Sequence, residues 1–225
     1  MPSYQLKDDR YSSHSLILSS LGKGDGRRLL DVGAADGFLA EKLTAQGFEV
    51  TCIEGDTSLA AKAEGKCSRL IVADLDETPP QLSGKFDVIV YGDILEHLKD
   101  PLRVITALNA NLKPDGIVIV SVPNVSHLWV RWQLLRGRFE YTDRGILDRT
   151  HLRFFTLKSF QRFLADAHLQ ILRMYSTPVP LPLVVAPKFQ GSLFRTVHAI
   201  NALSARIWKT LLAYQFLAVA RRSAQ

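Results

Sequence analysis

The chain has 225 residues, 47% of them hydrophobic and 22% charged, ordinary values for one folded domain that exclude a largely disordered protein. Its two cysteines, Cys52 and Cys67, show no CxxC or Cys/His ligand spacing, so no metal site is expected and a reducing cytoplasm fits. The net charge of +6 is unevenly divided: residues 1–126 carry 13 Lys+Arg against 18 Asp+Glu, whereas residues 127–225 carry 15 against 4.

A basic second half is suited to something anionic, such as a phosphorylated small molecule, nucleic acid or an acidic membrane surface; a merely solvated basic face is the plain alternative. The N-terminal MPSYQLKDDR is polar and charged, from which no secretory signal is expected. No apolar run reaches the length of a membrane span.

In chain order, short apolar runs bounded by turn residues predict buried parallel strands at Arg28–Val32, Glu49–Glu54, Arg69–Ala73, Asp87–Tyr91 and Ile117–Val122. Helices are predicted between them at Gly37–Gln46, Ser58–Glu64 and Pro101–Leu112, the last with Asp100 as N-cap and Pro101 in the first turn. Strand alternating with helix in this way means a doubly wound sheet, with its ligand crevice at the carboxyl ends of the strands. His127–Arg138 is amphipathic, Phe139–Thr150 is loop-like, and Thr156–His168 is helical with a hydroxyl cap. Leu169–Ser176 and Tyr214–Ala220 then read as two strands that pair antiparallel at a sheet edge. The excursion joining them holds Pro178–Pro187 and an amphipathic helix over Ser192–Leu212. Packing on the sheet or on a dimer partner explains that helix most simply; lying on an acidic membrane is the sharper alternative.

The turn after the first strand, LLDVGAADGFLA at Leu29–Ala40, carries the first chemical signal. Gly33 and Gly37 allow tight backbone geometry, but Phe38 stands where a dinucleotide fingerprint has its third glycine, and no GK[ST] follows. Asp31 and Asp36 would repel a pyrophosphate. The turn therefore suits a ligand without phosphates and with positive charge, and S-adenosylmethionine, an adenosine joined to a sulfonium-bearing amino acid, fits. Glu54 ends the second strand where an acid can take both ribose hydroxyls. Asp74 ends the third, where a carboxylate can accept from the adenine amino group while Leu75 packs on the ring. Asp93 follows the fourth. Each acid alone is also an ordinary strand-end turn residue or cap; four facing one crevice are harder to explain so.

LLDVGAADGFLA, VTCIEGD, LIVADLDE, FDVIVYGDILEHLKDP and LKPDGIVIVSVPN resemble the ordered motifs of class I S-adenosylmethionine-dependent methyltransferases over Arg28–Asn124. The resemblance implies a Rossmann-like α/β fold: a mostly parallel seven-stranded sheet ending in a C-terminal antiparallel hairpin. It also implies that Asp31, Gly33 and Gly37 line the methionine side, Glu54 the ribose and Asp74 the adenine, with the residues around Asp93 closing the pocket. Ala35 departs from the pattern, which has glycine there. On this basis residues 1–225 form one domain. Residues 1–27 are an N-terminal helix or cap, 28–124 the cofactor-binding core, 125–155 a substrate-side insertion, and 156–225 a C-terminal helix, hairpin and excursion. The segment from PNVSHLWV through DRTHLRFFT is similar to bacterial methyltransferases encoded with surface-polysaccharide enzymes. It is more weakly similar to ubiquinone-biosynthesis O-methyltransferases and to the methionine-biosynthesis protein W family.

The implied reaction moves a methyl group to a hydroxyl of a small or lipid-linked anionic acceptor, a sugar in polysaccharide synthesis by the stronger likeness and a quinone precursor by the weaker. A regulatory, partner-binding protein of the same fold is the competing reading. A nucleic-acid substrate is not expected, since no NPPY-type motif or aromatic-interleaved basic stripe is present. Histidine is the usual proton acceptor near neutral pH. His151 in DRTHLRFFT ranks first for that role and His127 second, while His97 in ILEHL reads as a cap or packing residue. Arg131, Arg149 and Arg153 are candidates to grip an anionic group on the acceptor. The expected location is the cytoplasm, including the inner membrane face through residues 192–212, and a homodimer is a further expectation.

Overall fold

The structure, a computed structural model, describes residues 9–223. The predicted cap over residues 1–27 is seen from residue 9 onward, and its first eight residues lie outside the described part. Helix α1 (Ser13–Leu21) leads into β1 (Arg28–Val32), α2 (Phe38–Ala45), β2 (Glu49–Glu54), α3 (Thr57–Ala63) and β3 (Arg69–Val72). After a loop come β4 (Phe86–Gly92), a 3₁₀ turn at Leu95–His97, α4 (Pro101–Asn109), β5 (Leu112–Pro123) and α5 (Leu128–Leu135). The chain ends with α6 (Leu157–Asp166), β6 (Leu169–Thr177), α7 (Leu181–Val184), α8 (Ser192–Ile207), α9 (Lys209–Leu212) and β7 (Gln215–Arg222).

The seven strands form one sheet in the order β3-β2-β1-β4-β5-β7-β6. The first five run parallel, and β7 lies antiparallel between β5 and β6, which is the expected architecture with its terminal hairpin. The alternation of strand residues explains why both faces are covered. Leu30 and Val32 of β1, Ile89 and Tyr91 of β4, and Val118, Val120 and Val122 of β5 point into one core with α4 and α6. Leu29, Val88, Val90 and Ile119 point into the other, with Ile17 and Leu21 of α1 and Leu39 and Leu43 of α2.

Caps set most helix starts. The Asp100 carboxylate accepts from the Arg103 amide, with Pro101 in the first turn of α4 as predicted. Thr156 and Ser159 form a reciprocal capping box on α6. Several element ends differ from the sequence reading, two of them instructively. Helix α4 ends at Asn109 rather than Leu112, because the Asn109 side chain bonds the buried Tyr91 hydroxyl at 3.0 Å and Leu112 is drawn into β5 and the core. The long amphipathic helix breaks at Trp208, so that α8 and α9 are separate.

Candidate active site

At the carboxyl ends of β1, β2 and β4 lies a cavity of about 350 Å³, lined among others by Asp31, Gly33, Ala35, Glu54, Asp93 and His97. That is the size range of small-molecule sites. The turn after β1 is held by backbone bonds from Gly33 and Ala34 to the Ile53 carbonyl. Gly33, Ala35 and Gly37 all have positive φ, 74°, 49° and 74°. Ala35 thus occupies the conformation that its expected glycine would, at a cost of about 1–2 kcal/mol. Its amide donates to Glu54 Oε2 at 2.7 Å, and the Asp56 amide donates to Oε1 at 2.8 Å. Glu54 therefore ties together the turns after β1 and β2, and each oxygen keeps a further lone pair.

The two glycines do different work. A Cβ on Gly33 would meet the Ile94 side chain at 2.6 Å, whereas one on Gly37 would meet the Ala63 backbone at 2.8 Å. Gly33 shapes the cavity wall. Gly37, assigned from sequence to the methionine side, packs closely between the turn and α3 and is not among the residues lining the cavity.

Asp31 is buried and its Oδ2 has no partner among the described residues. Burial, with Glu54 adding to it, pushes its carboxyl up to about 7. Asp36 Oδ1 is likewise buried and unpartnered among the described residues. Asp93 sits at φ 54° beyond β4, its carboxylate bonded by the hydroxyls of Ser121 (2.6 Å) and Ser13 (3.2 Å). Strained non-glycine conformations of this kind collect at functional sites.

The segment DRTHLR folds back onto the end of β4. The amides of Leu152 and Arg153 both donate to the Glu96 carbonyl, at 2.8 and 3.0 Å. His151 thereby comes edge-on to His97, ring centroids 4.8 Å apart. His151 Nδ1 meets the Ile146 carbonyl (3.1 Å), and His97 Nδ1 meets the Thr150 carbonyl and hydroxyl (3.3 and 3.1 Å). Because a carbonyl can only accept, each ring carries its proton on Nδ1 and keeps a lone pair on Nε2. Burial lowers the pKa of both rings, and the neighbouring His97 lowers that of His151 further, so both are neutral at pH 7.

Of the residues nominated from sequence, Asp31, Gly33, Ala35, Glu54 and Asp93 share the cavity wall. His151 stands just behind it, against His97. Asp74 is exposed, accepting from the Asp76 amide in its own turn, and Leu75 is buried in the core; neither lines the cavity. His127 caps α5, its Nδ1 accepting from the Trp129 amide, and its ring lies against Tyr214. The three arginines are occupied elsewhere: Arg131 with the Ser126 carbonyl, Arg149 with Asp143, Arg153 with the Lys99 carbonyl. Sequence reasoning did not nominate His14, Phe38, Ile94 or Thr150 and placed His97 behind His151 and His127; the first five of these line the cavity wall, whereas His151 and His127 do not. His97 stands in an ILEHL string that looks like an ordinary helix start, and His14 belongs to α1, which carries no motif.

A parallel sheet that turns antiparallel at β7, with an acid at the end of β1 and a carboxylate at the end of β2, defines the class: a Rossmann-like α/β domain of the class I methyltransferase type. The family model described as a methyltransferase domain matches residues 7–173, and the chain belongs to that family. A ubiquinone biosynthesis O-methyltransferase of Histophilus somni is 31% identical over 135 residues, covering 56% of each chain. The chain thus spans little more than half the length of that curated relative. A S-adenosylmethionine-dependent methyltransferase from Archaeoglobus fulgidus shares the fold with a TM-score of 0.62 and 16% identity, over 94% of this chain and 95% of that one. Magnesium protoporphyrin IX methyltransferase from Synechocystis, solved with bound S-adenosylhomocysteine, does so with a TM-score of 0.64 and 17% identity, over 94% and 82%.

Proposed function

We propose that the protein is an S-adenosylmethionine-dependent O-methyltransferase acting on the hydroxyl of a small, largely apolar acceptor of the quinone-precursor type. The observation that carries this reading is Asp31: a buried carboxylate oxygen without a partner among the described residues, on the wall of a cavity that also holds Glu54. Such a group calls for a cationic ligand, and the sulfonium amino acid of the donor supplies one. Bound there, S-adenosylmethionine provides a methyl group on a positively charged sulfur, ready for in-line displacement.

The chain's own residues supply the rest. Asp31 ionises to meet the donor's charged end. Glu54 uses its remaining lone pairs for the ribose hydroxyls while keeping the two turns in place. Asp74, exposed in the turn after β3, is left to accept from the adenine amino group. Phe38, Leu39 and Ile94 exclude water from the reacting centre. His151 or its neighbour His97, neutral and with a lone pair on Nε2, takes the acceptor proton. A hydroxyl hardly attacks until that proton leaves, and a positioned base typically contributes 10²–10⁴-fold.

Two observations support this acceptor class. The matched relative is titled a ubiquinone biosynthesis O-methyltransferase, and apolar side chains such as Phe38, Leu39, Leu59 and Ile94 line the cavity. The sugar acceptor expected from sequence finds no support in either. An acceptor of that kind resides in lipid, and the apolar, basic α8 is suited to bring the protein to an anionic membrane.

The test is labelled methyl transfer to a prenylated catechol. Wild type should transfer label, and His151→Ala should lower turnover at least about tenfold with donor affinity nearly intact. Full turnover in His151→Ala would remove the base; no transfer to any phenolic hydroxyl would remove the acceptor class.

A further inference from the structure

Helix α8 lies beyond residue 173, where the family match ends, and most of its residues are exposed. The residues it buries are His198, Ala202 and Ala205. His198 is 6% exposed, and its Nε2 lies 2.9 Å from Oδ2 of Asp9, itself 7% exposed. The two positions are 189 residues apart in the chain. Packing sets the ring for this contact: it stands edge-on to Tyr11 at 5.2 Å and stacks on Phe194 at 6.0 Å. Its Nδ1 has no hydrogen-bond partner among the described residues, so the Asp9 carboxylate is the polar group that fixes it. A carboxylate only accepts, so Nε2 carries a proton and donates.

Asp9 in turn organises the start of α1. Its Oδ1 accepts from the Tyr11 amide at 3.0 Å, and its carbonyl accepts from the Ser12 amide (2.9 Å) and the Ser15 hydroxyl (2.8 Å). Ser12 is the N-cap of α1, accepting from the Ser15 amide. The next two residues reach the donor cavity. Ser13 donates its hydroxyl to Asp93 Oδ2 at 3.2 Å. His14 lines the wall, its ring 5.9 Å from that of Phe38, another wall residue. A line of hydrogen bonds and short chain segments therefore runs from α8 through Asp9 to the cavity wall. The transfer reaction makes no use of it.

We infer that the Asp9–His198 pair is a latch with which α8 holds α1 on the donor cavity, which makes His198 a positioning residue for S-adenosylmethionine. A buried carboxylate that loses its donor has to find water or another donor. For Asp9 the move towards water carries with it the cap of α1, Ser13 and His14. The cavity wall then loses the Ser13 hydroxyl on Asp93 and the His14 side chain. Donor affinity falls although no residue lining the cavity has been changed. The effect on the donor rests on the methyltransferase reading; the hold on α1 does not.

Two variants separate the hydrogen bond from the packing. His198→Gln keeps an N–H at the Nε2 end of the side chain and loses the ring. His198→Phe keeps a ring against Tyr11 and Phe194 and loses the donor. The double variant Asp9→Asn with His198→Phe removes the buried charge together with its donor, and serves if the single variant does not fold. All are made in the full chain, with the melting temperature as the check on folding. The measurements are calorimetric titration of S-adenosylhomocysteine and amide hydrogen exchange over Ser13–Leu21. The latch predicts affinity within about threefold of wild type in His198→Gln and at least about fivefold weaker in His198→Phe and the double variant. It also predicts faster exchange in α1 wherever affinity falls. Wild-type affinity in folded protein lacking the donor overturns the inference and leaves the methyltransferase reading standing. A loss in His198→Gln as large as that in His198→Phe overturns it too, since packing alone would then explain the effect. Failure of wild type to bind S-adenosylhomocysteine removes the donor reading instead. The latch is then decided by exchange in α1, which must be faster in His198→Phe than in wild type or His198→Gln.

Discussion

Asp31 is the residue whose energetics most constrain what the cavity binds. Buried, without a partner for Oδ2 among the described residues and beside Glu54, it holds its proton up to about pH 7. A carboxyl raised in this way contributes stability that is fully present below the ordinary carboxylate range and is lost as pH rises through 7. A cationic ligand reverses the preference and draws the proton off. Affinity for S-adenosylmethionine should therefore rise by up to about tenfold per pH unit towards pH 7 and level off above it, with protons released on binding. Titrations in buffers of different ionisation heat between about pH 5.5 and 8 would show this, and Asp31→Asn should flatten the profile. A flat profile in wild type would mean that Asp31 does not face the donor's charge. At this scale the sequence was informative where a residue's type alone limits its chemistry, as for Asp31 and Glu54. It did not show at Gly37 the close approach of α3 at Ala63, which leaves no room for a Cβ.

Helix α8 shows where element-level reading succeeds and where it stops. Its existence and start follow from composition, yet the face it buries does not. Leu193, Ile200, Ile207 and Trp208 are 61–77% exposed, while His198, Ala202 and Ala205 are the residues that pack. The stripe expected to pack on the sheet is instead largely exposed. Small residues let α8 lie close to β6, and the His198 ring is held by Asp9 at 2.9 Å, a long-range pairing with no sequence signal. The central strands β1, β4 and β5 were legible because both faces are buried and short runs of Val, Ile and Leu bounded by turn residues read as buried strands. With Arg195, Arg206 and Lys209 nearby, the exposed stripe suits an anionic bilayer, although no helix among the described residues is long and apolar enough to cross one. Sedimentation with phosphatidylglycerol vesicles should carry the protein down at low salt and release it at high salt. Ile200→Ser with Ile207→Ser should abolish pelleting. No binding at low salt, with a stable dimer in sedimentation velocity, would assign the stripe to self-association instead.

Across the whole molecule, function is assembled from segments that the sequence keeps apart. The acidic first half supplies the carboxylates of the donor cavity. The more basic second half supplies the DRTHLR segment that docks on Glu96 and the helix suited to lipid. Asp31, Glu54 and Asp93 on the cavity wall were readable because they follow successive strands at regular spacing; the contact between His97 and His151 was not, because it is made by tertiary folding. The family match and the fold support methyl transfer, and the claim on which everything else depends is that the cavity between Asp31 and Glu54 holds S-adenosylmethionine. Calorimetric titration of S-adenosylmethionine into wild type, Glu54→Ala and Glu54→Gln tests it directly. The account predicts one molecule bound per wild-type chain, with affinity at least about tenfold weaker in Glu54→Ala and less so in Glu54→Gln, which keeps one acceptor oxygen. No binding to wild type, or the same dissociation constant in all three proteins, would contradict it.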